Sequence, residues 1–307
     1  MTAQGQQPDV TLVVIAHNEE LRIGRCLSAL VAQDYSGEYE VVVVDDGSVD
    51  STARVAGGFG LPVKVLVLPE NRGRGAARRH GIDAARGRLI GFVDADIEVG
   101  RDWLRRCVDA LPGHAAAGGI AVPDGDVAPL ARISGAAVRP VRGSMPVTGN
   151  NVVFDGGVLR VVGFDENARL GEDFRLAARL LAQGHTLETV EGLEVRHNET
   201  KSYRRSISWL YMSGVDATGL LREFGHWRLP DLAWVGTSIA SIAGGLAALW
   251  QWWFLLAGPA AIIAVSFLHT ATRFRPRPVG RFLLACVLNL PLTLAYLTGR
   301  TRGVFRA

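Results

Sequence analysis

The stretch RLIGFVDADIEVG, residues 88–100, decides how this chain is read. Leu89–Val93 has the continuous apolar character of a strand buried on both faces, and Asp94-Ala95-Asp96 follows at once. Two like charges one residue apart suit either a solvated turn or a cation site. On extended backbone, residues i and i+2 share a face, so Asp94 and Asp96 would project into one space and Ala95 away from it. A hard divalent cation such as Mg2+ or Mn2+ would relieve their repulsion. With so few protein carboxylates, such an ion completes its shell from water and substrate phosphates.

Upstream, the same grammar repeats. The apolar runs VTLVVIA (10–16), EVVVV (40–44) and VKVLVL (63–68) predict three further strands. Between them, residues 19–33, 48–58 and 75–87 carry helical patterning, with Leu21, Leu27, Leu30 and Val31 on one face of the first. Ser48 or Asp46 is placed to cap the second. Strands buried on both faces and separated by helices predict an α/β fold with a mostly parallel sheet. Ligands in such sheets bind beyond the carboxyl ends of the strands. Polar clusters fall at all four ends: His17-Asn18-Glu19, Asp45-Asp46-Gly47, Asn71-Arg72-Gly73 and Asp94-Ala95-Asp96. Four strand ends delivering polar groups to one rim predict an active site there. GEDFRLAARLLAQG (171–184) reads as a further amphipathic helix with Glu172 and Asp173 in its first turn. Residues 112–150, rich in Gly and Pro, read as loops covering the rim.

The net charge of +3 is unevenly distributed. Residues 231–307 hold seven Arg and one acid, Asp231, while the other 230 residues hold 26 basic and 29 acidic groups. The body is therefore slightly acidic, and no nucleic-acid partner is implied. Three scattered cysteines, Cys26, Cys107 and Cys286, give neither a zinc motif nor a disulfide framework. MTAQGQQPDV lacks a charged-then-apolar leader pattern, which predicts a cytoplasmic body.

No formally charged residue occurs from Leu232 to Thr272, a length suited to two membrane spans of about 20 residues each. Trp250, Trp252 and Trp253 would lie at the far interface, and the four Arg of TRFRPRPVGR in the cytoplasm. Residues 282–299 predict a third span or a re-entrant hairpin at Pro291. The expected organisation is a catalytic domain over 1–200, an amphipathic helical connector over 201–230, with Trp209, Tyr211 and Trp227 at a lipid surface or in a core, and an anchor of two to three transmembrane helices over 231–307.

Taken together, VVIAHNEE, VVVVDDGSVDST, NRGRGAARRHGI, RGRLIGFVDADI, TGNNVVF and GEDFRLAARLLAQG resemble, in order and spacing, the family 2 glycosyltransferases with a GT-A fold. The resemblance covers about residues 10–200. It implies a Rossmann-like nucleotide-diphospho-sugar transferase sheet and a metal-dependent inverting transfer from a nucleotide-diphosphate sugar. By this resemblance His17 and Glu19 would hold base and ribose, Asp45 or Asp46 the base, and Asn71, Gly73 and Arg78 the nucleoside or diphosphate. Asp96 would bind Mn2+ or Mg2+, with Asp94 on ribose or metal-bound water and His197 as a further metal or diphosphate contact. Gly149, Asn150, Asn151 and Glu172 would line the sugar and acceptor pocket, and Asp173 would be the general base.

Ala16 and Arg79 depart from residues common in the family, and no Gln-x-x-Arg-Trp string follows His197. That last departure implies transfer of a single sugar rather than polymer synthesis. A lipid-linked saccharide or glycan acceptor beside the membrane lipid, at the cytoplasmic face, completes the expectation. The alternatives are a sugar-nucleotidyltransferase, which would need a Gly-rich triphosphate loop that AHNEELRIG lacks, and a non-catalytic membrane scaffold of the same fold.

Overall fold

The computed structural model describes residues 7–123, 149–166, 171–198, 203–224, 229–247, 249, 255–273 and 279–305. Its contacts divide the chain into two units: residues 1–125 with 139–199, and residues 126–138 with 200–307.

The first unit is built on an eight-stranded sheet. In chain order its elements are β1 (Val10–Ala16), α1 (Ile23–Val31), β2 (Tyr39–Asp45), α2 (Thr52–Gly57), β3 (Val63–Val67), α3 (Arg74–Ala84), β4 (Leu89–Asp94) and β5 (Ile97–Glu98). There follow α4 (Trp103–Ala110), β6 (Ala116–Pro123), β7 (Asn151–Asp155), α5 (Gly156–Val162), α6 (Glu172–Ala182) and β8 (Leu187–His197). The strand order is β3-β2-β1-β4-β7-β6-β8-β5. β3, β2, β1 and β4 are mutually parallel, as their separation by helices requires. β7 runs antiparallel to β4 and to β6, and β8 runs parallel to β6.

The continuous apolar runs follow from burial on both faces. Along β1, Val10, Leu12 and Val14 enter one core with Ile23, Leu27 and Leu30 of α1 and Trp103 and Leu104 of α4. Val13 and Ile15 enter the other, with Ala77 and Ile82 of α3, Leu159 of α5, and Leu176 and Leu180 of α6. Helices on both faces of a largely parallel sheet give the Rossmann-like architecture expected from the strand–helix alternation.

Three expectations are corrected. Residues 116–123, read as loop, form strand β6. Small residues let it lie against Asn151 and Leu193, since a Cβ at Gly118 or Gly119 would come within 2.6 Å of backbone oxygen. The rest of that stretch, 124–148, lies outside the described residues. The second helix begins at Thr52, not at residue 48, and neither Ser48 nor Asp46 caps it. Asp50 instead accepts the Thr52 amide at 2.9 Å, holding 46–51 as a loop. The first helix likewise starts only at Ile23, because 17–20 is tied to that loop by Asn18, Glu19 and Glu20.

The second unit is helical: α7 (Tyr203–Phe224), α8 (Leu229–Ala247), α9 (Ala257–Arg273) and α10 (Val279–Val304). α7 and α10 meet backbone to backbone, because a Cβ on Gly214 would lie 2.3 Å from Tyr296 O and one on Gly299 2.0 Å from Tyr211 O. Buried Arg300 pairs with buried Asp231 at 2.9 Å and lies 5.3 Å from the Trp234 ring. Asn289 donates to Thr270 Oγ1 at 2.9 Å, linking α10 to α9. Pro291 stands inside a continuous α10, so the hairpin alternative gives way to a helix. Among the described residues one helix, Leu283–Val304, is long and apolar enough to cross a membrane; Ala257–Ala271 is a shorter apolar helix. Trp227, Trp250, Trp252, Trp253 and residues 274–278 lie outside the described residues, while Trp209 is 43% exposed.

Candidate active site

The carboxyl ends of β1, β2 and β4 lie in register: Ala16 pairs with Asp45, and Ile15 with Asp94. Chain leaving these strands therefore delivers its polar groups to one rim, in two neighbourhoods.

The first neighbourhood gathers around the β2 end. Asp46 is buried, and its two carboxylate oxygens accept the amides of Arg72 at 2.8 Å and Gly73 at 2.9 Å. It thereby fixes the loop after β3. Gly73 has φ +92, a conformation that favours glycine, and α3 starts at the next residue. Asp45, also buried, accepts the Ser48 amide at 3.2 Å and the Ser48 hydroxyl. His17 Nδ1 lies 2.8 Å from the Asp46 carbonyl, so Nδ1 carries the proton there, and Nε2 accepts from Asn18 at 3.1 Å. Asn18, at φ +56, also accepts the Val49 amide. The Glu19 amide donates to Thr52 Oγ1 at 2.7 Å, while its carboxylate pairs with Arg22 at 2.5 Å. Burial raises the Glu19 carboxyl above its usual range against the pull of Arg22. His17 and Asn71 are exposed.

The second neighbourhood lies at the β4 end. β4 stops at Asp94 and 95–96 form a turn, yet the alternation survives: residues 94, 96 and 98 are part-exposed, and 95, 97 and 99 are buried. Asp94 and Asp96 thus share a side, as the spacing predicts. Asp96 Oδ2 lies 3.1 Å from His197 Nε2 at the end of β8, each side chain 22% exposed. Burial acts to raise the Asp96 carboxyl, but the His197 contact, with Arg74 and Arg22, outweighs it and holds it below the ordinary value. Asp94 goes the other way, raised by burial against the pull of Arg78 and Arg74.

Arg78, 1% exposed, is the hub. One terminal nitrogen binds Glu172 Oε1; the other donates to Asp94 Oδ1 at 3.1 Å and to Gly149 O at 3.0 Å. Its guanidinium also sits 5.2 Å from the Phe164 ring. Glu172 is 3% exposed, its carboxyl raised by burial, and its neighbour Asp173 accepts the Gly149 amide at 3.2 Å and the Phe174 amide at 2.9 Å. Asp94 and the Glu172-Asp173 pair, far apart in sequence, are therefore joined through one buried arginine and the backbone of Gly149.

Residues 11–162 match the family model for glycosyl transferase family 2. The chain carries a family 2 glycosyltransferase domain.

Among relatives, the succinoglycan biosynthesis protein ExoO of Rhizobium meliloti is 37% identical over 58% of this chain and 57% of its own length. The dolichyl-phosphate beta-glucosyltransferase of Drosophila melanogaster is 43% identical over 29% of this chain and 31% of its own. The chain thus spans little more than half of the first relative and a third of the second. In fold it is similar to the mannosyltransferase PcManGT of Pyrobaculum calidifontis, in complex with GDP-Man and Mn2+, with TM-score 0.61, 20% identity, and coverage of 95% of this chain and 88% of that one.

Within the glycosyltransferase domain, geometry sorts the residues singled out by sequence. His17, Glu19, Asn71, Gly73, Asp94, Asp96, His197, Asn150, Gly149 and Asp173 all border the rim. Asp45, Asp46, Arg78, Glu172 and Asn151 are buried and already engaged by protein partners. Asn151, 1% exposed, accepts the Gly119 amide at 2.8 Å and holds β6 against β7. Arg78 and Glu172 are sealed from solvent and meet the rim only through Asp94 and Gly149. Arg74, one helical turn before Arg78, was missed by sequence reading; its i−4 spacing from Arg78 was the available signal. Among the described residues no three His, Cys, Asp or Glu side chains converge into a self-sufficient metal cage. Asp96 with His197, beside Asp94, nevertheless fits a hard cation that takes its other ligands from phosphate and water.

Proposed function

We propose that this domain is a metal-dependent, inverting glycosyltransferase that moves one sugar from a nucleotide-diphosphate donor to a lipid-linked saccharide acceptor at the cytoplasmic face of a membrane. The observation that carries the reading is the Asp96–His197 contact at the β4 and β8 ends, beside an Asp94 that Arg78 and Gly149 link to Asp173 at the start of α6.

His17, Glu19 and Asn71 border the space for the nucleoside, and Asp46 holds the 72–73 loop that faces it. Asp96 and His197, with Asp94, would hold Mn2+ or Mg2+. Such an ion, when bound, neutralises charge on the donor diphosphate. The acceptor oxygen attacks the anomeric carbon, the bond from that carbon to the diphosphate breaks with its electron pair leaving on phosphate oxygen, and Asp173 takes the hydroxyl proton. Single displacement inverts the anomeric centre. The Gly149 and Phe174 amides orient the Asp173 carboxylate for that transfer. The relatives named for succinoglycan biosynthesis and for dolichyl-phosphate glucosylation support a glycan or lipid-linked acceptor.

The test is hydrolysis and transfer across a panel of nucleotide sugars with Mn2+. EDTA and Asp96→Ala should each abolish turnover, about a thousandfold or more for the substitution, and activity indifferent to both would sink the metal reading. Asp173→Asn should remove transfer by roughly a hundredfold to ten-thousandfold while donor affinity survives.

A further inference from the structure

We propose that Arg74 is the residue that binds the donor diphosphate and receives the charge developing on it as the nucleoside diphosphate departs; this deepens the transferase reading above and rests on it.

Arg74 and Arg78 are the first and fifth residues of α3, so their side chains lie on one face, one turn apart. Their situations differ. Arg78 is sealed in, its guanidinium divided among Asp94, Glu172 and Gly149. Arg74 remains exposed and makes no hydrogen bond or ion pair with any described residue. Its charge still feels Asp94 most strongly, then Glu172, Asp96 and Asp173, which hold its guanidinium firmly protonated. The helix start that carries it is pinned from below, since Asp46 grips the amides of Arg72 and Gly73.

The charges around it say what it is for. Asp94, Asp96, Glu172 and Asp173 contribute four negative charges, and Arg78 answers only one of them. A divalent cation and Arg74 together bring the site near neutrality. A diphosphate then adds negative charge, which grows on its terminal oxygen as the glycosidic bond breaks. Arg78 cannot turn to meet that charge without stranding buried Glu172. Arg74, held at the rim and bonded to no described residue, can offer its planar donors to two phosphate oxygens at once.

A merely charge-balancing arginine would leave the preference for diphosphate over monophosphate unchanged, so that preference is the measurement. Purified full chain, with Mn2+, is titrated calorimetrically with UDP, UMP, GDP and GMP, as wild type, Arg74→Gln and Arg74→Lys. The expected result is that Arg74→Gln lowers the diphosphate-to-monophosphate affinity ratio about tenfold or more, leaves monophosphate affinity within about threefold, and lowers kcat of donor hydrolysis more than it raises KM. Arg74→Lys should recover part of the ratio, and ligand-free thermal midpoints report that all three chains are folded. A ratio unchanged in Arg74→Gln, in a wild type that binds diphosphate, overturns this inference alone. A wild type that binds neither diphosphate overturns the transferase reading and this inference with it. Should Arg74→Gln fail to fold, Arg74→Lys decides: a wild-type ratio and kcat there would contradict bidentate phosphate binding.

Discussion

At the scale of single residues, Arg78 is where the site and the core become one structure. Its side chain has left water, and what compensates is Glu172, Asp94 and a peptide carbonyl. Arg78→Met should therefore cost about 3–5 kcal/mol in urea unfolding, because it strands buried carboxylates rather than because the ion pair is intrinsically strong. The double variant Arg78→Met/Glu172→Met should recover much of that loss, and a strictly additive pair would refute the coupling. The same logic separates neighbours in sequence: Glu172 faces inward to Arg78 while Asp173 faces Gly149 and the rim. One residue of helical rotation turns one carboxylate to the core and the next to the rim.

At the scale of elements, the opposite end of the sheet is held by Glu40 of β2. It accepts Thr11 of β1 at 2.9 Å, Lys64 of β3 at 2.8 Å and Arg86, between α3 and β4, at 2.6 Å. Burial acts to raise this carboxyl, but the bonds from Arg86, Lys64 and Thr11 outweigh it and bring it down to about 2 from 4.5. A depressed carboxylate stabilises the fold fully above its unfolded value and stops doing so as pH falls through its folded one. Glu40→Gln should thus cost about 1–2 kcal/mol near neutral pH, discounted because Lys64 and Arg86 are half exposed. The difference from wild type should shrink between pH 4.5 and about 2; a gap constant with pH would mean that packing, not charge, is what Glu40 contributes. Elements also explain why loops at the rim hold their places: Asp46 and Asn18 spend side-chain oxygens on amides of neighbouring loops.

At the scale of the whole molecule, an α/β sheet unit and an apolar helical unit share one chain. α10 is long and apolar over Leu283–Val304, and large side chains such as Leu232, Ile239, Ile242, Leu246 and Phe267 are half or more exposed. So much exposed apolar surface requires a lipid or protein cover. The chain should sediment with membranes and stay there after alkaline carbonate, and truncation before α8 should release it if α8–α10 provide the anchor. Extraction of the full chain by carbonate would overturn the anchor.

The first four strands, their parallel direction and the polar rim were legible because burial on both faces writes an unbroken apolar run, and a strand end writes an abrupt change to Asp, Asn and Gly. Asp94 and Asp96 sharing a side followed from backbone alternation alone. β6 was not legible, because Gly and Ala there answer to close backbone neighbours across the sheet, which no local pattern records. Nor was the sealing of Arg78 against Glu172, whereas Asp96 and His197, 101 residues apart and expected at one site, do meet. Local chemistry marked which strand ends carry clustered polar residues. Long-range packing decided which arginine is spent on the core, because only the folded chain brings the competing carboxylates within reach.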